Sequence, residues 1–504
     1  MTASRGIRVA ALLLAVAGIA AGVALLGKSG PDRPSVVLIT VDTLRPDRLG
    51  CYGHRTNRTP SIDRVAREGT VFDVAYCDMP WTTGSMSSVM TGQYSNRHGV
   101  QLPMHKLKPE AVTLAELLQG RGYQTGAIIG SFPLDSVYGL DQGFETYDDE
   151  FDRPMFTVAG QPVERVESML PDDPKEMAAF VAKKLRNDAF RSDEGVTDAA
   201  VGWLDKVRDG RPFFLWVHYF GPHEKYHDGS LVDQEPGIIA AYDADVEAAD
   251  RAVGRLVEHL RELRLLDDTL LILHADHGQS LGERGYVGHG LSIDDESVRI
   301  PLLLRYPRRV GAGVRRRDIG RNIDILPTIL EAVGHEQMTG LPGRSLLPAG
   351  GDPEGASVPP EQQTAYFESY LTTILFRPIK DPELGVVLGP ASLTGVRTPS
   401  WRLTRWTVVG PCSGGEPSRD AFGTWILRSP QEVDEARCRQ IHKIQLFGGS
   451  DNGSSRELSA DHPDVVAELE AILRLQAAQP SDASSGFTLS PEQERKLKSL
   501  GYLR

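Results

Sequence analysis

The sequence is poor in cysteine, short of positive charge and without an apparent internal repeat. Its four cysteines, Cys51, Cys77, Cys412 and Cys438, stand in 504 residues. None has the close CxxC-type spacing of a zinc cluster, and a catalytic cysteine has no support. An even number still allows a disulfide, with Cys412–Cys438 a candidate in an oxidising compartment, although sequence alone does not fix connectivity. Lys and Arg number 55 against 68 Asp and Glu, a formal charge of -13. Nucleic-acid binding leans on clustered Lys and Arg, so no nucleic-acid partner is expected. Hydrophobic content of 40% and charged content of 24% are ordinary for a folded soluble chain. The length allows one large domain with an appendage.

Arg5 and Arg8 precede an uncharged run from Val9 to Leu26, closed by Gly27 and Lys28. This run is near the lower limit for a membrane-crossing helix and long for a signal core. Positive charge before it predicts a cytoplasmic N-terminus and export of the remainder. The expectation is therefore a membrane anchor with an extracytoplasmic (periplasmic) catalytic domain, or a secreted protein if the segment is cleaved. No cysteine follows the run closely enough for lipid attachment.

From Ser35 onward, apolar strand-like runs alternate with amphipathic helical stretches. Strands are expected at Val36–Val41, Gln124–Ile129, Phe213–His218 and Leu270–His274, and helices at Ala111–Gln119, Asp198–Val207 and about Ala240–Leu263. Such alternation predicts an α/β fold with a central, mostly parallel sheet flanked by helices. Asp149–Ser192 reads as an irregular insertion that covers part of a cleft, and Gly350–Gln363 as a linker. The expected divisions are an N-terminal signal or anchor segment at 1–30, a catalytic domain at 34–348, a linker at 349–364, and a smaller C-terminal α+β unit at 365–504. That last unit contains a helix near Val465–Leu475 and a terminal helix at Pro491–Leu500 after a polar spacer.

Ligands in parallel sheets gather beyond the carboxyl ends of strands, where Asp42, His218, His223, Asp276 and His277 fall. Asp276-His277-Gly278 places an acid and an imidazole together before a turn, which suits a metal clamp. Asp42 alone reads equally well as a turn or helix cap. Thr82 opens an expected short helix with Met86, Val89 and Met90 on one face; Thr82 or Ser85 serving simply as its cap is the commoner role. Together, Asp42, Thr82, Asp276 and His277 compose a mixed oxygen and nitrogen metal site with a hydroxyl nucleophile inside it. His223 and His289 lie in loops marked by proline or glycine and are candidates for proton transfer. Ser85, His98 and His218 are candidates for substrate contact.

Ordered motifs carry a resemblance. Val41-Asp42-Thr43-Leu44-Arg45-Pro46-Asp47-Arg48-Leu49-Gly50-Cys51-Tyr52-Gly53 resembles the opening signature of the sulfatase family, in the alkaline-phosphatase superfamily. Thr59-Pro60-Ser61-Ile62-Asp63, Thr91-Gly92-Gln93-Tyr94 with Arg97-His98-Gly99-Val100, Leu140-Asp141-Gln142-Gly143-Phe144, Asp276-His277-Gly278, Gly288-His289-Gly290 and Arg299-Ile300-Pro301-Leu302 follow in the family's order. The resemblance implies an alkaline-phosphatase-like α/β domain and a smaller C-terminal unit with a short antiparallel sheet. True sulfatases oxidise a Cys, or sometimes Ser, in a C/S-x-P-x-R motif to formylglycine. Here Thr82, Gly84 and Met86 occupy the nucleophile, proline and arginine positions, and Thr43 replaces the second acid of the usual Asp-Asp pair. Threonine cannot give the aldehyde.

The remaining set resembles superfamily members with a threonine nucleophile, such as phosphoethanolamine and phosphoglycerol transferases. The resemblance places Asp42, Thr82, Asp276 and His277 on one divalent ion. Loss of one carboxylate and retention of an imidazole favour zinc or manganese, with calcium possible. The resulting expectation is a metal-dependent hydrolase or transferase acting on phosphoric or sulfuric esters of a small molecule, glycan or lipid. Alternatives are a formylglycine-independent sulfuric ester hydrolase, or a non-catalytic member that binds an anionic glycan or lipid headgroup. Gly221 before Pro222-His223 and Gln279 after Asp276-His277-Gly278 stand where relatives often have acids.

Overall fold

A computed structural model describes most of residues 33–477; the larger stretches outside the described residues are 163–187, 224–234, 349–357, 371–378, 413–437 and 449–456. The Val9–Leu26 segment and the Pro491–Leu500 helix also lie outside the described residues. Among the described residues no helix is long and apolar enough to cross a membrane. The expectation of a membrane-anchored, periplasmic protein is corrected on that finding.

The central sheet has eight strands: β1 (Ser35–Val41), β2 (Thr70–Phe72), β3 (Gln124–Ile128), β4 (Thr146–Asp148), β5 (Phe213–Tyr219), β6 (Thr269–His274), β7 (Leu302–Arg305) and β8 (Val314–Arg316). Their spatial order is β8-β2-β7-β6-β1-β5-β3-β4. Neighbours run parallel except around β7, which is antiparallel to both β6 and β2. The middle strands are buried on both faces, which is why β1, β5 and β6 read as continuous apolar runs and not as alternating ones.

Helices cover the sheet. They are α1 (Pro60–Glu68), α2 (Thr82–Thr91), α3 (Leu114–Gln119), α4 (Asp193–Leu204), α5 (Glu235–Glu262) and α6 (Ile325–Ala332). Helix α3 starts at a capping box: the Thr113 hydroxyl accepts from Glu116 N–H, and the Glu116 carboxylate accepts from Thr113 N–H. Helix α4 begins earlier than expected because the Ser192 side chain accepts from Gly195 N–H.

A second sheet follows, of four antiparallel strands in the order β9 (Ala365–Ser369), β10 (Ala391–Arg397), β11 (Trp401–Cys412) and β12 (Cys438–Gly448). Helix α7 (Pro463–Ala477) comes after it in the chain. Leu469 and Leu473 of α7 join Val396, Leu403 and Leu446 in a small core that also takes in Tyr94 and Ile323 from the first unit.

Candidate active site and metal centre

Three adjacent strands build the site. In the parallel register Thr40 of β1 lies opposite His218 of β5 on one side and His274 of β6 on the other. The carboxyl ends of these strands therefore release Asp42, Asp276 and His277 beside His218. The Asp42 N–H donates to the Tyr219 carbonyl at 2.8 Å, extending the β1–β5 ladder to the first site residue.

Asp276 is held from one side only. Its Oδ1 accepts from the Thr43 N–H at 3.1 Å and the His277 N–H at 2.8 Å, whereas Oδ2 has no hydrogen-bond partner among the described residues. Neither Asp42 oxygen is paired within hydrogen-bonding geometry, and both ring nitrogens of the fully buried His218 lack a partner. One ligand atom each from Asp42, His218 and Asp276 lies within 4.8 Å of the others. Burial raises the Asp42 carboxyl well above the usual carboxylate range, and the Asp276 and Asp193 charges add to it; the Thr82 hydroxyl opposes them. Burial pulls His218 down to about 4, leaving its ring neutral. Two unshielded acids and a neutral imidazole, buried together, fit a divalent cation, which offsets the crowding and takes the lone pairs.

His277 joins this group through its tautomer. Its Nδ1–H donates to the Gly278 carbonyl at 2.9 Å, so Nε2 presents a lone pair. That nitrogen accepts from the Thr82 hydroxyl at 3.2 Å and lies 3.5 Å from Asp276 Oδ2 and 3.9 Å from Asp42 Oδ1. The structure thus brings together all four residues of the expected metal set.

Thr82 is the first residue of α2, whose ten residues are all buried. No side chain caps this helix, and the Ser85 N–H already donates to the Trp81 carbonyl. The N–H groups offered to an anion are accordingly those of Thr83 and Gly84, not of Ser85. Gly84 is required by packing: a Cβ there would lie 2.7 Å from Met79 Sδ and 2.9 Å from the Trp81 ring. Met86, at the expected arginine position, is fully buried, with its Sδ 3.9 Å from the Thr40 hydroxyl oxygen.

His289 and His223 meet beside this group. His289 Nδ1–H donates to the Pro80 carbonyl at 3.1 Å, so its Nε2 accepts from the His223 Nε2–H at 3.0 Å. The His289 ring lies 4.3 Å from the His277 ring, centroid to centroid, and His223 stacks on Phe220 at 4.6 Å.

Two expected substrate residues are engaged elsewhere. Ser85 Oγ donates to the Asp276 carbonyl at 2.6 Å and accepts from Asn322 Nδ2 at 3.1 Å, which fixes the metal-site backbone from behind. His98 accepts from the Val100 N–H through Nδ1 and donates through Nε2 to Ser88 Oγ at 2.9 Å. Burial lowers it to about 3, and it braces the far end of α2.

Sequence reading missed three supports. Asp193 Oδ1 accepts the Phe220 and Gly221 N–H groups, each at 3.0 Å, and holds the turn that carries His223. Asn322 joins Ser85 to Asp78. His274 donates to the Ala275 carbonyl and accepts from the Thr40 hydroxyl, which in turn accepts from Trp216. Only the repeated strand-end histidines gave a sequence signal for the last of these.

Residues 34–335 match the sulfatase family, and the chain belongs to it. The chain is 24% identical to the N-acetylglucosamine-6-O-sulfatase of Bacteroides thetaiotaomicron, over 68% of this chain and 75% of that one. It is 27% identical to the multifunctional alkaline phosphatase superfamily protein PehA of Trinickia caryophylli, over 63% of this chain and 77% of PehA. In structure it resembles the phosphonate monoester hydrolase SpPMH of Silicibacter pomeroyi, with a TM-score of 0.61 at 19% identity over 91% of this chain and 98% of that one. The protein is a sulfatase-superfamily enzyme with the alkaline-phosphatase-like fold. Enzymes of this family use a divalent metal, and Asp42, His218 and Asp276 form a group able to bind one.

Proposed function

We propose that the protein hydrolyses or transfers phosphoric esters through Thr82, without formylglycine. The observation that carries this reading is Thr82 Oγ1 at 3.2 Å from Nε2 of His277, beside the carboxyl groups of Asp42 and Asp276. Thr82 is a secondary alcohol, and Met86 puts an apolar chain where a sulfatase keeps its arginine. Both differences separate the site from aldehyde-dependent sulfate chemistry.

Asp42, Asp276, His277 and Thr82 would hold a divalent ion, zinc or manganese by donor type. When bound, such an ion polarises an ester oxygen and lowers the pKa of a coordinated hydroxyl. Thr82 Oγ then attacks phosphorus in line with the leaving oxygen; the Oγ–P bond forms as the ester P–O bond breaks. The Thr83 and Gly84 N–H groups donate to the equatorial oxygens. The histidine pair, His223 and His289, takes up the proton that the Thr82 hydroxyl releases and passes it to the leaving oxygen, returning to its neutral form. Water, or an acceptor alcohol, next attacks the threonyl phosphate; the new O–P bond forms as the Thr82 Oγ–P bond breaks, and the attacker's proton passes through the histidine pair to Thr82 Oγ. PehA, described as multifunctional, is a relative consistent with phosphoester chemistry on this fold.

Sulfuric ester hydrolysis by the same threonine is the second reading, favoured by the likeness to an N-acetylglucosamine-6-O-sulfatase. Turnover of a phosphate monoester, a phosphate diester and an aryl sulfate by the zinc- or manganese-loaded chain separates the two. Phosphoester cleavage should lead, and Thr82→Ala should lower it on the order of 10³-fold or more. Full turnover by Thr82→Ala would overturn the nucleophile, and aryl sulfate as the sole substrate would establish the second reading.

A further inference from the structure

The family resemblance assigns one histidine, His277, to the metal, whereas the fold brings a second imidazole to the same carboxylates. We propose that His218 is itself a metal ligand, adding a nitrogen donor to the ion site formed by Asp42 and Asp276. The proposal rests on the metal-dependent part of the reading above and does not depend on the choice of phosphoester or sulfate.

Geometry carries it. His218 Nε2 lies 3.6 Å from Asp42 Oδ2, too far for a hydrogen bond. It is the spacing of two ligands on one ion: donors about 2.0–2.1 Å from zinc at tetrahedral angles stand about 3.3 Å apart. The separations of His277 Nε2 from Asp276 Oδ2 and Thr82 Oγ1, 3.5 and 3.2 Å, fall in the same range. For His218 itself, hydrogen bonding offers no alternative account. Asp42 Oδ1 and Oδ2, Asp276 Oδ2 and both His218 nitrogens are buried and unpartnered among the described residues. Unmet buried polar atoms are strongly disfavoured, and three side chains rarely retain so many together without a ligand.

The strand register explains how His218 arrives there. It stands opposite Thr40 on β1, two residues before Asp42, and the Asp42 N–H continues that ladder on Tyr219 O. Asp42 and His218 are thus fixed to neighbouring strand ends by backbone bonds and need no loop rearrangement to share an ion. With His277 the set becomes two imidazoles, two carboxylates and a hydroxyl. Such a set suits zinc or another transition ion far better than calcium, which seeks oxygen donors.

The test is to load the full chain with cobalt(II) and count coordinated imidazoles by their paramagnetically shifted ring N–H resonances. The native protein should show one more than His218→Gln, whose apparent cobalt dissociation constant should rise about tenfold or more. Thermal unfolding checks that the variant is folded; if it is not, the native spectrum decides, with two imidazoles supporting the proposal and one contradicting it. An equal count and unchanged affinity in folded His218→Gln would overturn His218 as a ligand while leaving the proposed function intact. A native chain that binds no divalent ion would overturn both.

Discussion

Gly221 shows how one residue's identity can be set by a neighbour. A Cβ at this position would lie 2.2 Å from Asp193 Oδ2, while Asp193 Oδ1 accepts the N–H groups of Phe220 and Gly221. The acid expected at position 221 from relatives is absent, and a carboxylate from the first turn of α4 lies against the same turn. Gly221→Ala should displace Asp193 and lower turnover; Asp193→Ala should leave two buried N–H groups unmet and destabilise by about 1–3 kcal/mol. Urea unfolding with parallel kinetics measures both, and unchanged stability in Asp193→Ala would refute the anchoring role. Thr43 is a second case, held at a φ of 55° by its N–H bond to Asp276 and the Tyr242 hydroxyl on its carbonyl. A β-branched residue there is strained by on the order of 1–3 kcal/mol. The sequence made Asp42, Asp276 and His277 visible because an acid directly after an apolar run can point only off a strand end. Asp193 and Asn322 were hidden, since each acts across the fold on a backbone group that any sequence would present.

At the level of elements, the strands were legible because burial on both faces demands unbroken apolar runs. Helix limits were less so: α4 starts at Asp193 and not near 198, because one Ser192 side chain caps it. Helix α2 was expected to show one apolar face, yet all of it is buried. Its polar residues satisfy themselves, with Ser87 donating to the Thr83 carbonyl and Thr91 to the Ser87 carbonyl, each at 2.7 Å. In the second sheet the β11–β12 register pairs Cys412 with Cys438, and cross-strand partners have Cα separations compatible with a disulfide. In air-oxidised protein, unfolded without reductant, alkylation should label Cys51 and Cys77 only. Labelling of all four would contradict the pairing.

Across the whole molecule, the second sheet joins the segments around α2 at buried acids. Asp78 Oδ2 accepts from Ser88 and Oδ1 from Asn322, each near 2.6–2.7 Å, and the Glu368 N–H of β9 donates to the Asp78 carbonyl. Glu368 in turn accepts from Ser95 and Tyr366. Burial raises Asp78 to about 7, against the hydrogen bonds that favour its charge. A carboxyl with a raised folded-state pKa binds its proton more tightly when folded, so its stabilising contribution is complete at low pH. That contribution falls as pH rises from about 4 through about 7. Asp78→Asn lacks the titration, and its melting temperature relative to the native chain should rise between pH 5 and pH 8; a constant difference would refute it. None of this junction was legible in the sequence, because its members come from segments far apart in the chain.

The central claim is that Thr82 becomes covalently attached to the transferred group. Acid quenching of the metal-loaded enzyme during phosphoester turnover, followed by peptide mass analysis, tests it directly. The account predicts a phosphoryl group on the peptide spanning Trp81–Met90, located on Thr82 and absent from Thr82→Ser protein at the threonine mass. A peptide that stays unmodified under every quench condition, while Thr82→Ala protein turns over at the native rate, would contradict it.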